Sequence, residues 1–213
     1  MTPSTMPPRG LYLLTPEEPD SGRLRARVEP VLATGAVALL QLRCKDGDGA
    51  RRRAHALALR AACAAAGVPL LVNDDWRLAA GLGLGAHLGA DDGDLREARA
   101  ALGPGALLGA SCYDELGRAR RAAGEGADYL AFGAFFASGT KPLARRATPR
   151  LLAEARALAK PLVAIGGIRA DNGGSLLAAG ADLLAVLGAV FESPDPVAAV
   201  REFQTLFETT SHP

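Results

Sequence analysis

Ala36-Val37-Ala38-Leu39-Leu40-Gln41-Leu42-Arg43 is an apolar run of strand length. The Ala/Leu/Arg-rich segment Gly49–Ala66 follows it, and Pro69-Leu70-Leu71-Val72-Asn73 is apolar again. A continuous apolar run bounded by turn residues reads as a strand buried on both faces. The middle segment reads as a helix and stops at Gly67, the residue type that takes a left-handed cap. Strand, helix and strand in that order make a parallel unit with a helical crossover.

The same unit recurs outward along the chain. Apolar runs stand at Gly10–Thr15, Ala36–Arg43, Pro69–Asn73, Ala86–Leu88, Ala106–Ser111, Tyr129–Gly133, Leu162–Ile165 and Leu183–Leu187. Helical segments lie near Arg23–Ala33, Gly49–Ala66, Trp76–Gly81, Leu95–Leu102, Glu115–Gly124, Pro149–Ala159, Asn172–Ala179 and Pro196–Phe207, several closing at Gly35, Gly67, Gly124 or Gly126, and Gly180. Eight such units in 213 residues predict an α/β protein, a single-domain (β/α)8 TIM barrel at the small end of its size range. A doubly wound open sheet is the alternative. It usually has fewer strands, and its dinucleotide form carries an early glycine fingerprint, whereas the turn after the first strand reads Thr15-Pro16-Glu17. No linker divides the chain, so residues 10–208 form the barrel. The Pro/Ser/Thr-rich residues 1–9 are expected to be a disordered leader, and 209–213 a C-terminal tail.

Hydrophobic residues make up 49% of the chain, enough for a large core, and the formal net charge is +1. No global field points to nucleic acid or an acidic membrane, so any anion site must be local. Cys44, Cys63 and Cys112 are odd in number and scattered, which argues against a disulfide framework and fits a reducing, cytoplasmic setting. No run approaches a membrane span, and the leader has no apolar signal region. Barrels of this size often associate, and a homodimer is expected on that ground alone.

In such barrels chemistry gathers at the C-terminal ends of the strands. The second strand ends in Gln41, Arg43 and Lys45, which alternate with Leu42 and Cys44. Period-2 geometry puts the three polar side chains on one face, a poor core and a good anion receptor. The third strand ends in Asn73-Asp74-Asp75. Asp75 suits a helix cap there, leaving Asn73 and Asp74 for function. The fourth ends in His87, Gly89 and Asp91-Asp92. These acids either cap the helix near Leu95 or join Asp74 around a hard cation such as Mg²⁺, which takes one or two carboxylates plus water and phosphate oxygens. His87 beside Leu88 reads as structural, and Cys44 and Cys112 as neutral fillers. The fifth strand ends at Ser111, and the sixth leads to Ser138-Gly139-Thr140-Lys141. Gly166-Gly167 and Gly188 follow the seventh and eighth, where this fold commonly binds phosphate on backbone N–H groups. Arg145-Arg146 reads as a solvated loop pair or part of a mobile lid.

Gln41-x-Arg43-x-Lys45, Asn73-Asp74, His87-x-Gly89-x-x-Asp92, Gly109-x-Ser111, Thr140-Lys141 and Ala164-Ile165-Gly166-Gly167-Ile168, in this order and spacing, resemble the thiamine phosphate synthase family. The likeness runs from about Gly10 to Phe207. It implies an enzyme joining 4-amino-2-methyl-5-hydroxymethylpyrimidine pyrophosphate to hydroxyethylthiazole phosphate, with small-molecule partners only. By resemblance, Gln41, Arg43, Lys45, Asn73, Ser111 and Lys141 would contact the pyrimidine pyrophosphate. Arg43, Lys45, Ser111 and Lys141 form the catalytic set. Leu42 and Cys44 are counted with the substrate-binding segment, although the alternation turns their side chains toward the helices. Asp74 and Asp92 would hold Mg²⁺. Ser138, Gly139, Thr140, Gly166, Gly167, Leu187 and Gly188 would hold the thiazole phosphate. Pyrophosphate departure leaves a pyrimidine methylene cation, so charge neutralisation matters more than a protein nucleophile.

This chain departs from the family pattern at Pro16, Ala90, Tyr113, Ser138 and Gly188, where Asp, Gln, His, Thr and Ser are usual, and at Ala134 and Ala137, often Pro. The alternatives are the sibling thiazole tautomerase and a non-catalytic phosphate-ligand-binding paralogue. The tautomerase lacks the full metal pair and uses a histidine after the sixth strand, where Gly133-Ala134-Phe135-Phe136 has none. Binding alone would not need two aspartates and three cations.

Overall fold

The computed structural model describes residues 6–45, 48–137 and 146–210. Eight strands close into one parallel barrel in chain order: β1 Gly10–Leu14, β2 Val37–Leu42, β3 Leu70–Asn73, β4 Gly85–Leu88, β5 Leu108–Tyr113, β6 Tyr129–Phe132, β7 Leu162–Ile165 and β8 Leu183–Val186. Closure is made by β1, which pairs with β2 on one side (Leu13 opposite Leu40) and β8 on the other (Leu13 opposite Val186). Every predicted strand is present, offset by a few residues at its ends. The open-sheet alternative is excluded because no edge remains.

The helices are α1 Ser21–Leu32, α2 Gly49–Ala66, α3 Trp76–Leu82, α4 Leu95–Leu102, α5 Leu116–Gly124, α6 Pro149–Ala155, α7 Gly174–Ala178, α8 Gly188–Phe191 and α9 Pro196–Thr209. The sixth stops earlier than its sequence pattern suggests, and Arg156–Leu158 tightens into a 3₁₀ turn. One element is new: α8 is a single turn of four residues, too short to register as a helical period. Caps follow the sequence chemistry. Gly67 closes α2 and Gly83 closes α3, both left-handed. Asp75 caps α3 by accepting from Leu78 N–H, as expected. Asp94, not Asp91 or Asp92, caps α4 by accepting from the N–H groups of Arg96 and Glu97.

Strand alternation sorts the core into two layers. Leu11, Leu13, Leu40, Leu42, Val72, Ala86, Leu88, Leu108, Ala110, Leu130, Ala164 and Leu184 point outward and pack against the helices. Tyr12, Leu39, Leu71, Leu107, Tyr129, Val163, Leu183 and Ala185 point inward and fill the barrel. The inner layer is smaller and includes two tyrosines, so its upper part is polar where the outer layer is not.

At the N-terminal ends of the strands, two aspartates staple neighbours together. Asp128 Oδ2 accepts from Leu108 N–H and pairs with Arg99, whose guanidinium also donates to the carbonyls of Gly103, Ala106 and Gly126. Asp182 Oδ2 accepts from Leu162 N–H at 2.7 Å. Residues 6–9, within the span expected to be a disordered leader, lie against the barrel. Met6 packs on the inner layer, and Arg9 donates to the Thr210 carbonyl and stacks over Phe207 of α9. An apolar and a cationic side chain find partners there that the Pro/Ser composition did not reveal.

Candidate active site

The C-terminal ends of the strands open onto a cavity of about 1270 Å³. Gln41, Arg43, Lys45, Asn73, Asp74, Asp92 and Ser111 all line it, as do Gly166, Gly167, Leu187 and Gly188. Leu42 and Cys44 are buried and do not line it, and Leu42 lies in the outer layer. Thr15, fully buried at the end of β1, fixes this end of β2: its hydroxyl accepts from Arg43 N–H at 2.9 Å. Beyond that anchor the two cations are held by acids. Arg43 Nη1 donates to Glu17 at 2.7 Å, and Lys45 Nζ donates to Asp74 at 2.7 Å. Sequence reading did not find Glu17, because nothing in the Thr15-Pro16-Glu17 turn says which way its side chain folds.

Asp74 takes a left-handed backbone, φ 66°, an uncommon conformation for a residue other than glycine. Asp92 is anchored by accepting from Gly89 N–H at 2.7 Å, so it faces the cavity rather than capping α4. Partial burial, then the neighbouring Asp74 carboxyl, push the Asp92 pKa up. A carboxyl group whose proton affinity is raised by burial and by a neighbouring carboxyl suits a hard divalent cation, which relieves the like-charge contact. Among the described residues no cluster of three or more His, Cys, Asp or Glu side chains could hold a metal alone. The pair therefore fits an ion that completes its shell with water or substrate oxygen, such as Mg²⁺, and not a closed protein cage.

Below the charged rim runs an uncharged polar chain. Gln41 Nε2 donates to the Tyr12 hydroxyl at 2.6 Å, and that hydroxyl meets the Tyr129 hydroxyl at 2.7 Å. The Tyr129 hydroxyl meets His87 Nδ1 at 2.8 Å, and His87 Nε2 meets Ser111 Oγ at 2.9 Å. Gln41, Tyr12, Tyr129 and His87 are all buried. Burial lowers the His87 pKa to about 4, keeping the ring neutral, and raises both tyrosine pKa values well above 10. The imidazole stacks on the Tyr129 ring, with centroids 5.6 Å apart, and the Tyr12 ring meets Tyr129 edge-on. Gly109 makes room for this: a Cβ there would lie 2.0 Å from the Tyr129 ring. Its place in the Gly109-x-Ser111 motif thus has a packing reason. His87, expected from the sequence to be structural, is buried, lines the cavity and contacts Ser111.

At the far side, the loop after β6 lies along the end of β7. Phe135 N–H donates to the Ile165 carbonyl and Phe136 N–H to the Gly166 carbonyl. A Cβ on Gly166 or Gly167 would come within 2.5 Å or 2.3 Å of that loop, and both glycines have positive φ. They are needed for close packing as well as for an open approach to an anion. Gly188 opens the single turn α8, and a Cβ there would meet the Glu192 carboxylate at 3.0 Å.

Comparison with known sequences and structures identifies the relatives of this site. The family model described as thiamine monophosphate synthase matches residues 11–190. The chain belongs to the thiamine monophosphate synthase family. It is 52% identical to a thiamine-phosphate synthase of Xanthomonas campestris over 96% of this chain and 99% of the relative. It is 55% identical to one of Thiobacillus denitrificans over 94% and 95%. A solved thiamine phosphate pyrophosphorylase from Pyrococcus furiosus superposes with a TM-score of 0.82 at 28% identity, covering 94% of this chain and 96% of that one.

Within this family member, the residues expected at the site divide into three groups. Gln41, Arg43, Lys45, Asn73, Asp74, Asp92 and Ser111 meet at one cavity wall, and Gly166, Gly167, Leu187 and Gly188 at the other. Leu42 and Cys44 turn away from it. Ser138, Gly139, Thr140 and Lys141 lie outside the described residues. Tyr12 and Tyr129 were missed by sequence reading. Their inward positions on β1 and β6 were a readable signal, but aromatic residues in a strand are ordinarily core. Tyr113, one of the departures, reaches back over the acidic loop, where its hydroxyl accepts from Ala90 N–H at 3.2 Å. Burial pushes the Cys112 pKa up to about 12, consistent with an inert filler. No helix of the described residues is long and apolar enough to cross a membrane.

Proposed function

We propose that this chain couples 4-amino-2-methyl-5-hydroxymethylpyrimidine pyrophosphate with hydroxyethylthiazole phosphate, giving thiamine phosphate and pyrophosphate. The observation that carries this reading is the meeting of two cations, two acids and a serine at one cavity mouth of a family member.

In this reading Arg43 and Lys45 take the pyrophosphate, leaving Glu17 and Asp74. Arg43 offers a planar fork for two oxygens, and Lys45 a compact charge. Asn73 and Ser111 add hydrogen bonds to the same group, and Lys141 adds a third cation. Asp74 and Asp92 would hold Mg²⁺, which would supply positive charge to the leaving oxygens. Cleavage of the methylene C–O bond sends both electrons to pyrophosphate and leaves a pyrimidine methylene cation. The thiazole nitrogen lone pair forms the new C–N bond. Gly166, Gly167, Leu187 and Gly188, with Ser138, Gly139 and Thr140, hold the thiazole phosphate so that the nitrogen faces the methylene carbon. Such positioning is worth several kcal/mol of the barrier. No protein nucleophile is used, and the neutral His87 and the high tyrosine pKa values suit a site without one.

The test is direct. The protein is mixed with both substrates and Mg²⁺, and thiamine phosphate and pyrophosphate are followed together. Equal release of both supports the reading. Absence of Mg²⁺-dependent release of either overturns it.

A further inference from the structure

We propose that Gln41, Tyr12, Tyr129, His87 and Ser111 form a directional hydrogen-bond chain in which Tyr12, Tyr129 and His87 are positioning residues. Through them the Ser111 hydroxyl hydrogen is aimed at the pyrophosphate while the Gln41 carbonyl oxygen is aimed at the pyrimidine. The inference rests on the function proposed above and extends it to three side chains that touch no charged group.

The number of hydrogens available limits how the chain can be ordered. The four contacts are continuous, 2.6 to 2.9 Å, from β2 through β1 and across the barrel to β6, then to β4 and β5. Each tyrosine and the serine owns one hydroxyl hydrogen, and a neutral imidazole owns one N–H. With one hydrogen per contact, the chain has two self-consistent polarities. In the first, Gln41 N–H donates to Tyr12, Tyr12 to Tyr129, Tyr129 to His87 Nδ1, and His87 Nε2–H to Ser111. The serine hydrogen is then free for the cavity, and Gln41 Oε1 is an open acceptor. In the second, every donor reverses: Ser111 gives its hydrogen to His87, and the Gln41 amide turns its oxygen to Tyr12 and its N–H to the ligand.

A pyrophosphate oxygen is an acceptor only. It takes the serine hydrogen in the first polarity and meets serine lone pairs in the second. Binding of the anion at β5 therefore selects the first polarity along the whole chain. That sets the amide at β2 to accept, which matches the amino group of the proposed pyrimidine. One end of the substrate thus decides what the protein offers to the other end. The interior members Tyr12, Tyr129 and His87 are buried, so water cannot readily supply a substitute hydrogen there, and a missing hydroxyl breaks the order.

The decisive readout is the imidazole tautomer of His87, which a merely structural ring would not couple to ligand. The full chain is labelled with ¹⁵N-histidine, and the His87 signals are assigned by comparison with His87→Gln. Saturated with inorganic pyrophosphate and Mg²⁺, the ring is expected to carry its hydrogen on Nε2. In Tyr129→Phe the tautomer preference is expected to fall away and pyrophosphate affinity to drop by about tenfold, the size of one lost hydrogen bond. A hydrogen on Nδ1 in the pyrophosphate complex overturns the proposal. So does a folded Tyr129→Phe with unchanged tautomer and affinity. If that variant fails to fold, the unsubstituted protein still decides through its own spectrum. If the ring carries the Nε2 hydrogen but no thiamine phosphate is made, the chain stands and the functional reading falls. If product is made with the hydrogen on Nδ1, the reverse holds.

Discussion

Aspartates stand at both ends of this barrel, and they differ in what their oxygens are left to do. At the N-terminal end Asp128 is occupied by the Leu108 N–H and by Arg99, and Asp182 by the Leu162 N–H. These acids close the strands on one another. At the C-terminal end Asp74 is held by a lysine at the cavity mouth and Asp92 by one N–H, and the two press on each other. An acid whose partners are strand amides contributes to folding. Two acids that share a cavity mouth are further stabilised when a cation arrives between them. The same residue type therefore closes strands at one end and, in the proposed function, serves chemistry at the other, the division expected for this fold.

The comparison breaks most sharply at the cavity end. Asp74→Ala and Asp92→Asn are each expected to lower kcat by about a hundredfold or more, as loss of charge stabilisation does. Asp92 has a raised pKa. The stability associated with its proton is present below the ordinary carboxylate range and is lost as pH rises through the raised value. Asp92→Asn is therefore expected to melt no lower than the parent at neutral pH without metal. Mg²⁺ should raise the melting temperature of the parent and not of either variant. A large drop in melting temperature for Asp92→Asn would place it with the structural acids.

His87, at the cavity end of β4, is a buried titratable group of a different kind. Its pKa is about 4 in the fold against an ordinary value near 6.5, so the unfolded chain binds more protons between those values. Stability is expected to fall by about 3 kcal/mol as pH drops through that window. Urea titrations from pH 7 to pH 4 measure it, and His87→Gln should flatten the slope. An equal slope in both would assign the loss to other groups.

At the N-terminal end, Asp128→Ala is expected to cost about 2 kcal/mol, because it leaves the buried Leu108 N–H unpaired, with kcat of the folded fraction unchanged. Denaturant unfolding alongside activity separates the two effects. The smallest effect sharpens the contrast between neighbours. Asp94→Ala, two residues from Asp92, should cost about 1 kcal/mol as a lost helix cap and leave turnover intact.

Much of this was legible from residue order. The strand runs, the glycine stops and the Asp75 cap follow from local preferences, and local preferences survive folding when the tertiary environment agrees with them. The rim set Gln41, Arg43 and Lys45 was legible because strand alternation is rigid. It also explains Leu42 and Cys44, whose side chains turn away from the cavity even though they sit in the same segment. Asp91, Asp92 and Asp94 were harder, since all three lie where a cap is expected and only the backbone path assigns the cap to Asp94. The turn α8 is too short to leave a period. Tyr12 and Tyr129 are 117 residues apart in the chain, and no local pattern says that their hydroxyls meet.

The sequence by itself determined the order and type of the elements and the face of the second strand on which the charged residues stand. Each of these depends on spacing along one strand or helix. Only the tertiary structure decided that Arg43 rests on Glu17 and Lys45 on Asp74, and that Gln41 is joined to Ser111 through two tyrosines and a histidine. The reason is geometric. Barrel closure brings inward side chains from non-adjacent strands within hydrogen-bond reach, and at that distance burial and the number of available hydrogens, not sequence separation, decide which groups pair.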